Sequence, residues 1–288
     1  MRAAVLGFPV AHSLSPVLHT AAYAALGLDD WRYELHECDE AGLAGFVAGL
    51  DGEWAGLSLT MPLKRVALDV AAEVSPLATA TGAANTLVLR DGLRFADNTD
   101  VAGIVAALQG AGVGRAGTEA GRAVVLGAGG TAQAALAALR ELGFSEVDVL
   151  VRSVKRAGEL RAAADRIGSA PAVSDALADP ARATAAIVGA DVVISTLPSG
   201  AADAIAGAGP DTVLLDVVYA PWPTRFASTA AAAGAQVVSG LEMLLHQAVA
   251  QVELMTRHTA PVADMRAALD EAVAVHPCTP PPPPPGGP

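Results

Sequence analysis

The chain of 288 residues is long enough to bury two cores, and its formal net charge of −12 works against general binding to nucleic acid or an anionic membrane while leaving room for a small anion held by local donors. Its residues are 52% hydrophobic with a mean hydropathy of +0.42, yet no apolar run approaches the roughly 18 to 20 residues of a spanning helix, because Ala and Gly supply the average. Its two cysteines, Cys38 and Cys278, lie far apart, which excludes a disulfide framework and a cysteine metal site.

The N-terminal apolar run is interrupted at Pro9 and His12 and lacks a small-x-small cleavage site, so residues 3 to 7 read as the first strand of a cytoplasmic protein, not as a signal peptide. Ser15-Pro16 opens a predicted helix to about residue 26, with Ser15 as N-cap and Pro16 in the first helical position. Residues 31 to 38 form a second predicted strand, 41 to 50 a short helix, 56 to 60 a third strand, and 62 to about 74 another helix. Residues 83 to 89 and 93 to 96 read as a hairpin through Arg90-Asp91-Gly92. A helix from Asp100 to about Gly112 leaves this first unit. Strands at 123 to 126, 147 to 151, 191 to 195, 212 to 218 and 235 to 238 then alternate with helical patterns, which predicts a parallel sheet covered on both faces. Helices at 241 to 256 and 261 to 275 close the fold, and residues 276 to 288, with six consecutive prolines, read as an extended, disordered tail. The predicted fold class is α/β with two domains. An N-terminal α/β substrate domain spans residues 1 to 100 and is completed by helices within 241 to 275; a Rossmann-type doubly wound parallel sheet spans 101 to 240.

The run Gly127-Ala128-Gly129-Gly130-Thr131-Ala132 follows the apolar strand Ala123 to Leu126 and precedes an Ala-rich helix, the context in which G-x-G-x-x-G/A binds a dinucleotide. Gly127 makes the tight turn, Gly129 lets the backbone approach a pyrophosphate, and Ala132 lets the helix press on the strand so that its N-terminal N–H groups face the phosphates. The bland alternative is a glycine corner that only packs strand against helix.

Four clusters lie where strands meet helices, the place an open α/β sheet puts its ligand crevice. Ser13-Leu14-Ser15 offers two hydroxyls at a helix start, suited to a carboxylate, or a plain helix cap. Thr60-Met61-Pro62-Leu63-Lys64 places a cation in the first turn of the predicted helix, where the macrodipole disfavours it. Gly82-Ala83-Ala84-Asn85-Thr86 carries an amide suited to polyol hydroxyls, and Asp97-Asn98-Thr99-Asp100 carries a carboxylate that either caps a helix or pairs with Lys64 as an acid/base couple. The chain has 16 Arg but only two Lys, Lys64 and Lys155, and only two Asn, Asn85 and Asn98, so each of these four positions raises the question of what an Arg or Asp could not do there.

In this order, and followed by the glycine turn, the clusters resemble the shikimate dehydrogenase family over about residues 3 to 272. Its S-x-S, T-x-P-x-K, N-T and N-T-D motifs stand here as Ser13 to Ser15, Thr60 to Lys64, Asn85-Thr86 and Asn98 to Asp100; its tyrosine motif resembles Asp216 to Pro221, and its late glutamine Gln247. The resemblance implies that Lys64 and Asp100 are the catalytic couple of an enzyme reducing 3-dehydroshikimate to shikimate with NADPH. Ser13 and Ser15 would hold the carboxylate; Thr60, Asn85, Asp100, Tyr219 and Gln247 would take ring hydroxyls. Without the resemblance, Gln247 and His246 read as a helix surface; Gln251, one turn on, faces the same way as Gln247.

The cofactor-binding set is Gly127, Ala128, Gly129, Gly130 and Thr131, then Arg152, Ser153, Lys155 and Arg156, with Thr196, Val217 and Gly240 toward the nicotinamide. Three cations and a hydroxyl after the second strand suit the 2′-phosphate of NADP(H), whereas NAD calls for an acidic residue there; Asp148 comes too early to serve. Val151 departs from the Asn that the family carries before the Arg. Two rival readings are a quinate/shikimate or aminoshikimate-type dehydrogenase, against which Ser15 and Arg152 argue, and a non-catalytic dinucleotide-binding sensor, against which the retained Lys64 and Asp100 argue. The expected partners are the small-molecule substrate and no nucleic acid, membrane or metal; the chain is expected to be a monomer or homodimer.

Overall fold

Short apolar runs bounded by glycine and polar turns become two six-stranded sheets in the computed structural model, which describes residues 1–114 and 121–275. The proline run after residue 275 and Cys278 lie outside the described residues.

The first sheet is built from β1 (Arg2–Gly7), α1 (Ser15–Ala25), β2 (Arg32–Glu37), α2 (Glu40–Ala48), β3 (Trp54–Leu59), α3 (Ala67–Val70), β4 (Glu73–Val74), α4 (Pro76–Thr81), β5 (Thr86–Arg90) and β6 (Leu93–Asp97). Its strand order is β2-β1-β3-β5-β6-β4. The three N-terminal strands run parallel, and β5 turns the sheet antiparallel, with Leu57 opposite Leu87 and Leu87 opposite Ala96. These facing residues are fully buried and join Leu6, Leu43 and Leu63 in one core.

Helix α5 (Asp100–Gly110) leads to the second sheet through β7 (Arg122–Leu126), α6 (Gly130–Glu141), β8 (Glu146–Leu150), α7 (Gly158–Ile167), β9 (Ala172–Ser174), α8 (Pro180–Ile187), β10 (Val192–Ser195), β11 (Val213–Asp216), α9 (Arg225–Ala232) and β12 (Gln236–Ser239). All six strands are parallel in the order β12-β11-β10-β7-β8-β9. The period of two along each strand sends neighbours to opposite faces. Val125 and Ile194 pack under α5 and α6, while Val124, Val193 and Leu214 pack against Ile187 of α8 and Phe226 of α9. Burial on both faces is why these strands are continuous apolar runs. The chain then returns through α10 (Gly240–Thr256) and α11 (Val262–Val275), which with α1 bury Leu18, Leu245, Val252, Met265 and Leu269.

Three local expectations change. Leu14, not Ser15, is the N-cap of α1 and gives it no side-chain cap; Ser15 is its first helical residue, and its N–H donates to Ser13 Oγ at 3.3 Å. The helix expected from residue 62 to 74 is instead a run of turns, the single turn α3 and the edge strand β4, because Ala72 N–H bonds Arg94 O and Glu73 and Val74 pair with β6. Lys64 therefore stands in no helix, and the macrodipole argument made for it does not apply. The β5 strand begins at Thr86, leaving Ala83 to Asn85 as a loop tied to Lys64 through Ala84 N–H to Lys64 O at 2.7 Å.

Candidate active site

The carboxyl ends of β1 and β3 in the first sheet face those of β11 and β12 in the second across a cleft of about 440 Å³. Parallel strands place all their exit loops on one side, so segments distant in sequence arrive at the same opening. From the first sheet come Ser13 and Ser15 after β1, Thr60 and Lys64 after β3, and Asn85 before β5. Asp100 enters on the first residue of α5, Thr131 on the first turn of α6, and Val217, Tyr219, Gly240 and Gln247 from β11 and α10.

Lys64 Nζ donates to Asp100 Oδ2 at 2.6 Å, with side chains 20% and 5% exposed, so the ammonium reaches the cleft while the carboxylate stands behind it. Asp100 Oδ1 accepts from Asn85 Nδ2 at 2.9 Å, and the Asp100 backbone N–H is held by Asn98 Oδ1 at 3.1 Å. Asn98 is pinned in turn on Thr81 Oγ1 and Ala83 O. The two asparagines are thus structural partners of the carboxylate: each offers both a donor and an acceptor, which an Asp could not. Gln247 Oε1 accepts from Asn85 Nδ2 at 3.2 Å, while its own amide donates to Leu244 O. Lys64 Nζ also lies 3.4 Å from Thr131 Oγ1, so the glycine-turn helix touches the couple.

On the nucleotide side, Gly127 sits at φ +114°, a conformation that favours glycine, and a side chain there would collide with Thr196 Oγ1. Thr196 itself donates to Leu126 O at 2.7 Å and so braces the turn. Gly129 is the N-cap of α6 without a side-chain cap, and a Cβ on it would meet open space. The helix therefore presents uncapped N–H groups to an accessible hollow, the arrangement that receives a phosphate anion. Arg152, Lys155 and Arg156 stand exposed after β8, in register with β7 through Leu126 and Leu150, and none of the three forms an ion pair with the described residues. Asp148 is occupied by Arg122 at 2.6 Å. The donor set is one that NADP(H) would fit: an uncapped helix N-terminus and, among the described residues, cations without an ion pair. Gly127 to Gly130, Arg152, Ser153, Lys155, Arg156 and Thr196 lie beyond the cleft that holds Lys64, while Thr131, Val217 and Gly240 line it.

A buried polar cluster that motif reading missed, apart from Gln251, reaches the cleft wall through Ser58 and Gln251. It contains His19, Tyr33, Ser58 and Gln251, with Tyr33 stacked on His19 at 4.0 Å between ring centroids. Burial pushes the His19 imidazole down to about 3 and raises the Tyr33 phenol, so both are neutral. Two spacings carried a signal: His19 lies four residues after Ser15 on one helix, and Ser58, in β3, lies two before Thr60 just past the end of that strand.

The model of the shikimate dehydrogenase substrate binding domain matches residues 5–87, and that of the shikimate 5'-dehydrogenase C-terminal domain matches residues 240–269. A shikimate dehydrogenase (NADP(+)) of Moorella thermoacetica is 36% identical over 94% of this chain and 92% of its own length. The crystal structure of Mycobacterium tuberculosis shikimate dehydrogenase superposes with a TM-score of 0.78 at 44% identity, covering 94% of this chain and 99% of that one. The Thermus thermophilus enzyme in complex with NADP(H) and shikimate superposes at 0.77 with 32% identity, covering 94% and 99%.

Proposed function

The chain belongs to the shikimate dehydrogenase family, and from that membership we propose that it is an NADP-dependent shikimate dehydrogenase, reducing the ketone of 3-dehydroshikimate to shikimate for chorismate and aromatic amino-acid biosynthesis. The observation that carries this reading is the 2.6 Å contact of Lys64 with Asp100 at the cleft between the two sheets. NADPH, when bound, supplies the hydride that goes to the carbonyl carbon. The Lys64 ammonium stabilises the alkoxide character that develops on the carbonyl oxygen and donates the proton that completes the alcohol. Asp100 keeps that ammonium charged and aimed, and Asn85 keeps Asp100 oriented.

Ser13 and Ser15 hold the substrate carboxylate, and Thr60, Asn85, Asp100, Tyr219 and Gln247 take the ring hydroxyls; all of them line the cleft. Residues 1 to 100 with the helices of 241 to 275 then serve as the substrate domain, and residues 101 to 240 as the NADP domain. Among the described residues no helix is long and apolar enough to cross a membrane. We place the enzyme in the cytoplasm as a monomer or homodimer acting on small molecules alone. Initial rates of NADP reduction with shikimate as sole substrate test the reading. Quinate in place of shikimate, and NAD in place of NADP, should give far lower kcat/KM; a preference for quinate with NAD would assign the chain to the other branch of the family, and no turnover with any pair would leave only a sensor.

A further inference from the structure

Gln251 lies on α10, one turn beyond Gln247, and is 1% exposed, a costly position for an amide unless every hydrogen-bonding site is used. All four are used. Its Nε2 donates to Asn85 O at 3.1 Å and to Thr86 Oγ1 at 3.0 Å, and its Oε1 accepts from Ser58 Oγ at 2.7 Å and from His19 Nε2 at 3.3 Å. The carbonyl of Asn85 can only accept, which fixes the face of the Gln251 amide. His19 must then carry its proton on Nε2, leaving Nδ1 to accept from Tyr23 OH at 3.5 Å. Ser58, donating to Gln251, accepts from Tyr33 OH at 2.6 Å.

The hydrogen bonds continue from Gln251 to the Lys64–Asp100 pair. Thr86 Oγ1, which accepts from Gln251, donates to Asn85 Oδ1 at 2.9 Å, and that oxygen also accepts from Thr99 N–H at 2.8 Å. With its oxygen held twice, the Asn85 amide must turn its Nδ2 toward Asp100 Oδ1. We infer that Gln251 is a positioning residue of the reaction: clamped by Ser58 and His19, its amide fixes the Asn85-Thr86 segment and so the donor that aims Asp100 at Lys64. An apolar side chain of equal length would fill the space on α10 but release the Asn85 carbonyl and the Thr86 hydroxyl, leaving Thr99 N–H to hold Asn85 Oδ1 without that support. The inference rests on the reading that Lys64 and Asp100 carry the chemistry.

The test uses the full chain with shikimate and NADP, following kcat and the deuterium isotope effect at the carbon that loses the hydride. Gln251→Met, similar in length and without donor or acceptor, is expected to lower kcat by about tenfold to hundredfold and to enlarge the isotope effect on kcat, because misplacement slows the chemical step itself. A merely structural role would lower activity through unfolding and leave the isotope effect of the remaining folded enzyme unchanged. Gln251→Glu gives a second readout. While ionised it keeps the acceptors but cannot donate to Asn85 O; once protonated it regains an O–H for that bond. Facing it are His19 from α1, Tyr33 from β2 and, beyond Asn85, the Lys64–Asp100 pair; His19, held to about 3, stays neutral across the assay range. Activity of this variant relative to wild type should therefore rise by up to about tenfold per pH unit between about pH 9 and about pH 6.

A folded Gln251→Met enzyme whose kcat stays within about twofold of wild type, or falls with an unchanged isotope effect, overturns the inference, as does a Gln251→Glu enzyme as poor at about pH 6 as at about pH 9. A wild-type chain that fails to oxidise shikimate removes the functional reading and this inference with it. A working wild type with unaffected variants removes the inference alone.

Discussion

At the scale of single residues the proposed function divides the cleft into groups that would touch substrate and groups that hold those in place, and the two should fail differently. Lys64→Ala removes the proton donor and the charge facing the developing alkoxide, so kcat should fall by about 10² to 10⁴. NADPH binding, followed by fluorescence titration, should remain close to wild type because the glycine turn is untouched; unchanged turnover would take Lys64 out of the mechanism. His19 belongs to the holding group and has a different signature. Its folded imidazole protonates only near 3, whereas the unfolded chain takes up that proton near the ordinary value of 6.5. Stability from this group is therefore complete above about pH 6.5 and is lost as pH falls, by about 2 kcal/mol at pH 5. Urea unfolding of wild type and His19→Gln at pH 7 and at pH 5 isolates that share. His246, also lowered by burial, contributes alike to both proteins. The loss between the two pH values should be smaller in the variant by about 2 kcal/mol, and equal losses would show that His19 is not held neutral.

At the scale of elements, what was legible in the sequence is what depends on neighbouring residues along the chain. The strand β7, the Gly127 turn and α6 appear as read because a continuous apolar run, a residue at positive φ and a small-residue helix each leave a local mark. The helix expected after Pro62 failed for a non-local reason, since an edge strand pairing with β6 competed for residues 73 and 74. The Lys64–Asp100 pair could be named in advance because both residues sit in motifs, whereas for Gln251 the one-turn spacing from Gln247 gave only the face it shares, and its partner Asn85 lies 166 positions away. The loop after β8 offers the element-scale test. Arg152 is exposed and forms no ion pair with the described residues, which leaves its guanidinium available to a phosphate. Removing a charge-assisted hydrogen bond of about 1.5 to 3 kcal/mol, Arg152→Ala should raise KM for NADP about tenfold or more while leaving KM for NAD nearly unchanged. Equal effects on the two nucleotides would move the 2′-phosphate contact elsewhere.

At the scale of the whole molecule, the question is what keeps two sheets at the separation the chemistry needs. Among the described residues one ion pair joins them, Arg65 with Glu159 at 3.0 Å, whose side chains are 67% and 65% exposed, and pairs in that setting contribute little against solvent screening. The frame is instead α5 against α10: α5 begins with Asp100, α10 carries Gln247 and Gln251, and both run between the units. Their close approach depends on Gly103, where a Cβ would stand 2.7 Å from Met243 O and 3.0 Å from Gln247 Cβ. A backbone carbonyl cannot swing aside as a side-chain tip can, so Gly103→Ala must push the helices apart. Because Asp100 lies one turn before that contact and Gln247 within it, the displacement should reach both sides of the cleft. Stability is expected to fall by about 1 to 3 kcal/mol, and kcat of the folded fraction to fall with it. Gly110, at the end of the same helix, has no atom of the described residues within 4 Å of its would-be Cβ, so Gly110→Ala should be neutral or stabilising by up to about 1 kcal/mol with kcat unchanged. Thermal unfolding and steady-state kinetics on the two variants separate helix propensity from helix spacing. If Gly103→Ala behaves like Gly110→Ala, then the α5–α10 seam does not set the geometry of the cleft.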